Sequence, residues 1–151
     1  MNTTKRYFKG IQKESSICKA FQKYIENKRD CKSFLKTRDD KQAPIDFMGR
    51  FYDKVTGETI VEVAVEVRSL ELSIEYIEKG LGFIMFPISK LNELMKFRRM
   101  KKEVYIVYLL KDKVYFLLWD YYLTHNFELG FYKKGPFIKL PIRNLIECGE
   151  M

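Results

Sequence analysis

Asp46 and the tripeptide Glu66-Val67-Arg68 are the residues whose types and spacing could do chemistry. They bracket residues 44–68, which read as two strands joined by a tight turn at Lys54-Val55-Thr56-Gly57, with flanks rich in branched and aromatic residues. In the second strand Val61, Val63, Val65 and Val67 fall on one face, and Glu62, Ala64, Glu66 and Arg68 on the other. The antiparallel register that pairs Asp53 with Thr59 also sets Arg50 opposite Glu62, a favourable charge pair, and Asp46 opposite Glu66. Two carboxylates side by side repel unless something holds them, and a hard divalent cation with oxygen ligands would do so. A one-residue slip would turn Glu66 to the other face. The chemistry open to such a pair is metal-assisted cutting of a phosphodiester; the plainer reading is a surface cross-strand pair matched by Arg50 or Arg68.

The elements that must position these residues follow from periodicity. Residues 13–27 predict a helix whose buried stripe is Ile17, Cys18, Phe21, Tyr24 and Ile25. Glu14 lies on the same side as Cys18, Phe21 and Ile25, so it points inward, either as a first-turn acid favoured by the helix dipole or as a group reaching a buried site. Residues 28–43 read as a connection, and residues 69–82 fit strand or helix only in part, with breaks at Gly80 and Gly82. Phe83 to Phe86 predict a short strand stopped by Pro87. Ser89 is the expected N-cap of a helix over residues 90–102, with Leu91, Leu94 and Met95 inward and a strongly basic outer face. Lys90 at its start could face the carboxylates, but its expected place is the surface. The apolar runs at 104–110 and 114–119 predict a buried hairpin around Lys111-Asp112-Lys113, and Gly135-Pro136 and Pro141 punctuate a tail. His125, the one histidine, falls in a loop without a partner in sequence, which argues against histidine chemistry.

At 151 residues the chain fits a single domain, 1–151, large enough for one central sheet and a few helices. Cys18, Cys31 and Cys148 are too few and too scattered for a disulfide framework or a zinc site, and they suggest a reducing interior. No apolar run is long enough to span a bilayer, and the N-terminus lacks a signal-peptide core, so the expectation is a cytoplasmic protein with no membrane partner. The net charge of +8 is unevenly placed: 11 Lys/Arg against 5 Asp/Glu in residues 1–40, 5 against 8 in 41–88, and 6 against 1 in 89–102. An acidic site with basic flanks suits a polyanion such as DNA, held by the flanks and met by a cation at the acids. Lys90, Lys96, Arg98, Arg99, Lys101 and Lys102 are the expected DNA-binding residues; the bland reading of the same charges is a solvated helix face. The aromatics between Tyr105 and Tyr122 read as core rather than as stacking platforms.

The order of a helix with an inward Glu, a strand with P-x-D, a strand with E-x-basic, a helix and further strands resembles the PD-(D/E)xK nuclease superfamily, and within it RecU-type Holliday junction resolvases. Ala43-Pro44-Ile45-Asp46-Phe47 with Gly49 looks like the P-x-D segment, and Glu66-Val67-Arg68 stands at the E-x-K place. Gly10 with Glu14, Phe86-Pro87-Ile88 and the Tyr115 to Trp119 strand are similar to further family features. The resemblance implies an α/β fold with a restriction-endonuclease-like core, a central mixed sheet flanked by helices. It implies Mg²⁺ or Mn²⁺ at Asp46, Glu66 and the Val67 carbonyl, with Glu14 a direct or water-mediated ligand and Arg68 among the catalytic residues. It also implies an endonuclease acting on DNA, branched DNA included, as a homodimer, of the kind carried by phages and mobile elements. Arg68 stands where the family has Lys, and the helix after Pro87 lacks a His-Gln pair. An arginine can stabilise phosphate charge but can hardly act as a base, so the alternative expectation is a weak or inactive nuclease-fold protein that binds DNA or a protein.

Overall fold

The computed structural model describes the backbone of residues 3–37, 45–119 and 128–151, with side chains from Gln12 onward. Ala43 and Pro44 of the P-x-D segment, and His125, lie outside the described residues.

Helix α1 (Thr3–Arg29) is followed by strands β1 (Lys32–Thr37), β2 (Phe47–Tyr52) and β3 (Thr59–Leu70), then by helix α2 (Ile74–Lys79), strand β4 (Phe83–Pro87) and helix α3 (Ile88–Arg99). Strands β5 (Glu103–Leu110) and β6 (Lys113–Leu118) form the expected hairpin. The chain closes with β7 (Leu129–Tyr132), β8 (Gly135–Pro141), a short 3-10 turn (Ile142–Asn144) and β9 (Ile146–Glu150). One sheet has the order β1-β2-β3-β5-β6-β9 and a smaller one the order β4-β8-β7. Among the described strands only β3 and β5 run parallel, linked by the α2-β4-α3 crossover; the other pairs are antiparallel. This is the expected α/β arrangement, a mixed central sheet flanked by helices.

Both faces of the large sheet are covered, which is why β5 reads as an unbroken apolar run. On one face α1 lays Ile17, Phe21 and Ile25 against Val63, Val65 and Val67 of β3 and Tyr105 and Val107 of β5. Each such side chain fully removed from water contributes about 1.5–3 kcal/mol. On the other face Leu94 and Phe97 of α3, Ile84 and Phe86 of β4, and Ile138 and Leu140 of β8 pack on Ala64, Ile106 and Tyr108. Helix α1 carries the predicted stripe but begins at Thr3, well before the expected start. No helix among the described residues is long and apolar enough to cross a membrane.

Several boundaries differ from expectation. Residues 28–43 read as a connection, yet Lys32–Thr37 form β1, paired in register with β2. Helix α3 starts at Ile88 with Pro87, not Ser89, as its N-cap; the proline's φ of −64° and ψ of 136° set the turn into the helix without a side-chain cap. The β2–β3 register sets Arg50 opposite Glu62 as expected, but a bulge beyond Phe51 pairs Thr59 with Tyr52 rather than Asp53. Asp53 instead organises the turn, its carboxylate accepting the N–H groups of Val55 and Thr56, while Gly57 at φ 74° donates to the Asp53 carbonyl.

Candidate active site

The β2–β3 ladder begins at Phe47↔Val65, so Asp46 stands one step beyond it, level with Glu66. There the Asp46 carboxylate replaces a backbone acceptor: its Oδ2 accepts the N–H of Val67 at 2.7 Å. That bond ties Asp46 to the strand carrying Glu66.

Glu66 points away from the α1 face, as its alternation with Val65 and Val67 requires. It is 4% exposed and is the one charged side chain in the buried class among the described residues. Burying a carboxylate is costly unless it is paired or protonated. Both remedies are present. Burial first, then a hydrogen bond with Asp46 and the Asp46 charge, push the Glu66 carboxyl up to about 8, against the opposing pull of Lys90. Lys90 Nζ lies 3.0 Å from Glu66 Oε2. Because α3 starts at Ile88, Lys90 falls in its first turn, and the β4-Pro87 entry carries that turn over β3. Lys90, expected at the surface or facing the carboxylates, is 32% exposed and pairs with Glu66.

Glu14 approaches from α1, on the opposite side of the sheet. It is half-buried, and burial followed by the charge of Asp46 raises its carboxyl to about 7. One turn later the buried Cys18 thiol is pushed up to about 12 by burial and, less, by Asp46. Asp46 is therefore the hub of the group, facing Glu14 on one side and Glu66 with Lys90 on the other.

Arg68 departs from its expected place at the carboxylates. Its guanidinium lies 5.4 Å from the centre of the Phe86 ring and lines an apolar cavity beyond the site. The basic helix is also used differently from expectation. Arg98 donates to the Lys102 carbonyl at 3.4 Å, and Lys102, 12% exposed, pairs with Glu62 at 3.1 Å. Lys96, Arg99 and Lys101 remain exposed, with Lys96 loosely paired to Glu93 at 3.9 Å.

The donor set can be tested against the divalent cation that the sequence implies. Mg²⁺ and Mn²⁺ prefer hard oxygen donors, and Mg²⁺ commonly uses one or two carboxylates plus water and phosphate oxygens. Asp46 and Glu66 meet that requirement as two adjoining oxygen donors. Among the described residues no three His, Cys, Asp or Glu side chains converge as a preformed ligand group, so Glu14 stands outside direct range of both acids at once. Position at the start of the helix already offers Lys90 as a cation facing the carboxylates; the cavity has no sequence signal, because more than half of its lining falls in the stretch 69–82, which fits strand or helix only in part.

No protein-family model matches this chain, and no curated protein does. Among solved structures the fold is similar to that of Hjc from Archaeoglobus fulgidus, a Holliday junction resolvase from an archaeal hyperthermophile. The two agree at a TM-score of 0.46 and 13% identity, over 77% of this chain and 85% of that one.

Proposed function

We propose that this protein is a metal-dependent DNA endonuclease in which Lys90 supplies the cation that the family motif places at position 68. The observation that carries the reading is the ammonium of Lys90 3.0 Å from the buried Glu66, whose carboxyl Asp46 adjoins. Asp46, Glu66 and the Val67 carbonyl would hold Mg²⁺ or Mn²⁺, with Glu14 acting through water. When bound, such a cation polarises the scissile phosphate and lowers the pKa of a coordinated water. Asp46, fixed by the Val67 N–H, keeps the acids aligned, and Lys90 sets a mobile positive charge beside them, suited to a phosphoryl oxygen gaining charge in the transition state. Lys96, Arg99 and Lys101 hold the flanking strand, and branched DNA with a homodimeric protein is the arrangement that the sequence resemblance favours.

A second reading draws on the same ion pair. Lys90 neutralises Glu66 without any metal, as a nuclease fold that binds DNA or a protein but does not cut would require. Cleavage of linear, single-stranded and four-way DNA with Mg²⁺ or Mn²⁺ separates the two. Cutting by the parent protein that is lost in Glu66→Gln supports the endonuclease; DNA binding with no cutting under either metal favours the second reading.

A further inference from the structure

Strand β3 continues past Glu66 to Arg68 on the same face, a step of about 7 Å at the usual strand rise. There the chain opens into a cavity of about 650 Å³, between the ends of β3 and β5 and the α2-β4 segment. The volume lies within the roughly 300–1,000 Å³ typical of small-ligand sites. Its lining includes Tyr76, Phe83, Leu81 and Tyr108, and, among the described residues, two cations, Arg68 and Lys79, and no acid. Tyr76 and Leu81 are each 66% exposed, so large apolar surface is presented to water at the rim. Such surface usually marks a binding site.

The occupant has to match aromatic walls, two positive charges and a place next to acids read as a phosphodiester site. A purely apolar peptide segment would satisfy the walls but would leave the cations unmatched. A nucleotide satisfies all three, because every base has a π-face for stacking and brings its own phosphate. Phosphates of a duplex strand follow one another at about 3.4 Å of rise, and more widely when stretched, so about 7 Å from Glu66 is one or two nucleotides away. A paired, stacked base cannot enter.

We infer that the cavity takes an unpaired nucleobase of the bound strand, one or two nucleotides from the scissile phosphate, with Arg68 on the intervening phosphate and the exposed Tyr76 ring as the stacking wall. The inference rests on reading Asp46, Glu66 and Lys90 as a phosphodiester site and adds a substrate class: DNA with an unpaired nucleotide at a branch, flap or single-stranded stretch. Guanidinium stacked on Phe86 is held in place, which lowers the cost of fixing it on a phosphate.

The test uses the full chain in EDTA, where nothing is cut. Four-way and flap DNAs carry a single 2-aminopurine at successive positions around the branch, and its fluorescence reports stacking. One or two adjacent positions should change on binding, and the change should vanish in the Tyr76→Ala/Leu81→Ala variant, whose side chains are exposed enough to leave the fold intact. That variant should bind branched DNA about tenfold or more weakly, the order expected when a base–aromatic stack is removed, with duplex affinity altered less than about twofold. Equal losses on duplex and branched DNA, or no loss on either, would overturn the inference. So would a variant that changes only the sedimenting mass, which would make the cavity a protein interface. If the parent cuts with Mg²⁺ but no 2-aminopurine position responds, the cavity reading fails alone. A response without any cutting leaves the cavity reading standing and removes the nuclease; no DNA binding at all removes both.

Discussion

At the scale of single residues, the site is a contest over which cation serves Glu66. The sequence offers Arg68 by motif position, whereas Lys90 makes the contact at 3.0 Å. Lys90→Ala should therefore lower cleavage on the order of 10²-fold or more, as removal of a transition-state charge contact does, whereas Arg68→Lys should cut nearly as well as the parent. Single-turnover rates at saturating DNA check this, and a Lys90→Ala protein that cuts at the parental rate would return the role to Arg68. The raised carboxyls give a pH dependence. In the metal-free folded protein Glu66, at about 8, and Glu14, at about 7, hold protons that the unfolded chain releases near 4.5. Their protonation stabilises the fold fully below about 4.5, and that contribution is lost as pH rises through 7 to 8. The lowered carboxyl of Asp53 works the other way only below its usual 3.8, outside this window. Melting temperature in EDTA should fall from pH 5 to pH 8, and the fall should shrink in Glu66→Gln. A flat or rising profile would show that these acids are not buried as described.

Elements rather than residues decide how much of this could be read from sequence. The hairpin and its face assignment were legible because the alternation from Val61 to Arg68 admits one register, and Arg50↔Glu62 satisfies it. The bulge near Tyr52 was not, since a bulge leaves the hydrophobic pattern intact. Strand β1 escaped because it is an edge strand with alternate residues exposed and only Phe34-Leu35 apolar; its ladder with β2, not its composition, makes it a strand. The same holds for β7, which exposes Leu129, Phe131 and Tyr132. Pairing of β1 with β2 has a checkable requirement at Gly49, where an added Cβ would lie 1.7 Å from the Phe34 carbonyl oxygen. Gly49→Ala should cost about 2 kcal/mol or more in urea unfolding, because the backbone of one strand must move. A change under about 0.5 kcal/mol would mean that β1 does not lie this close to β2.

Across the whole molecule, the uneven charge read from the sequence is partly spent on internal contacts. Arg98 and Lys102 serve the end of α3 and Glu62, so the exposed basic residues of that segment that the proposed DNA contact would use are Lys96, Arg99 and Lys101. Replacing these three with Gln should weaken DNA binding and flatten its salt dependence by about 0.9 in log–log slope for every phosphate no longer neutralised. Lys102→Gln should leave the slope alone. A filter-binding series in rising salt distinguishes the two, and an unchanged slope for the triple variant would assign DNA binding to another face.

The parallel join of β3 to β5 has a consequence in time. Val63 pairs with Glu103 across the intervening α2, β4 and α3, whereas β1-β2-β3 and β5-β6 are built from near neighbours. Closing that long crossover is the slow step expected of such topology. A chain synthesised only to Leu70 already carries Glu14, Asp46 and Glu66, but Lys90 has not yet been made. The acids thus exist before their cation, and they come under cover only when the crossover layer closes over Glu66. Trp119, the single tryptophan, packs 6.0 Å from Phe86 on the crossover side and reports that closure. In refolding at pH 6, recovery of buried Trp119 fluorescence should lag the far-ultraviolet signal and coincide with recovery of the native site. Trp119 fluorescence that recovers together with the far-ultraviolet signal would show that the crossover closes no later than the hairpins.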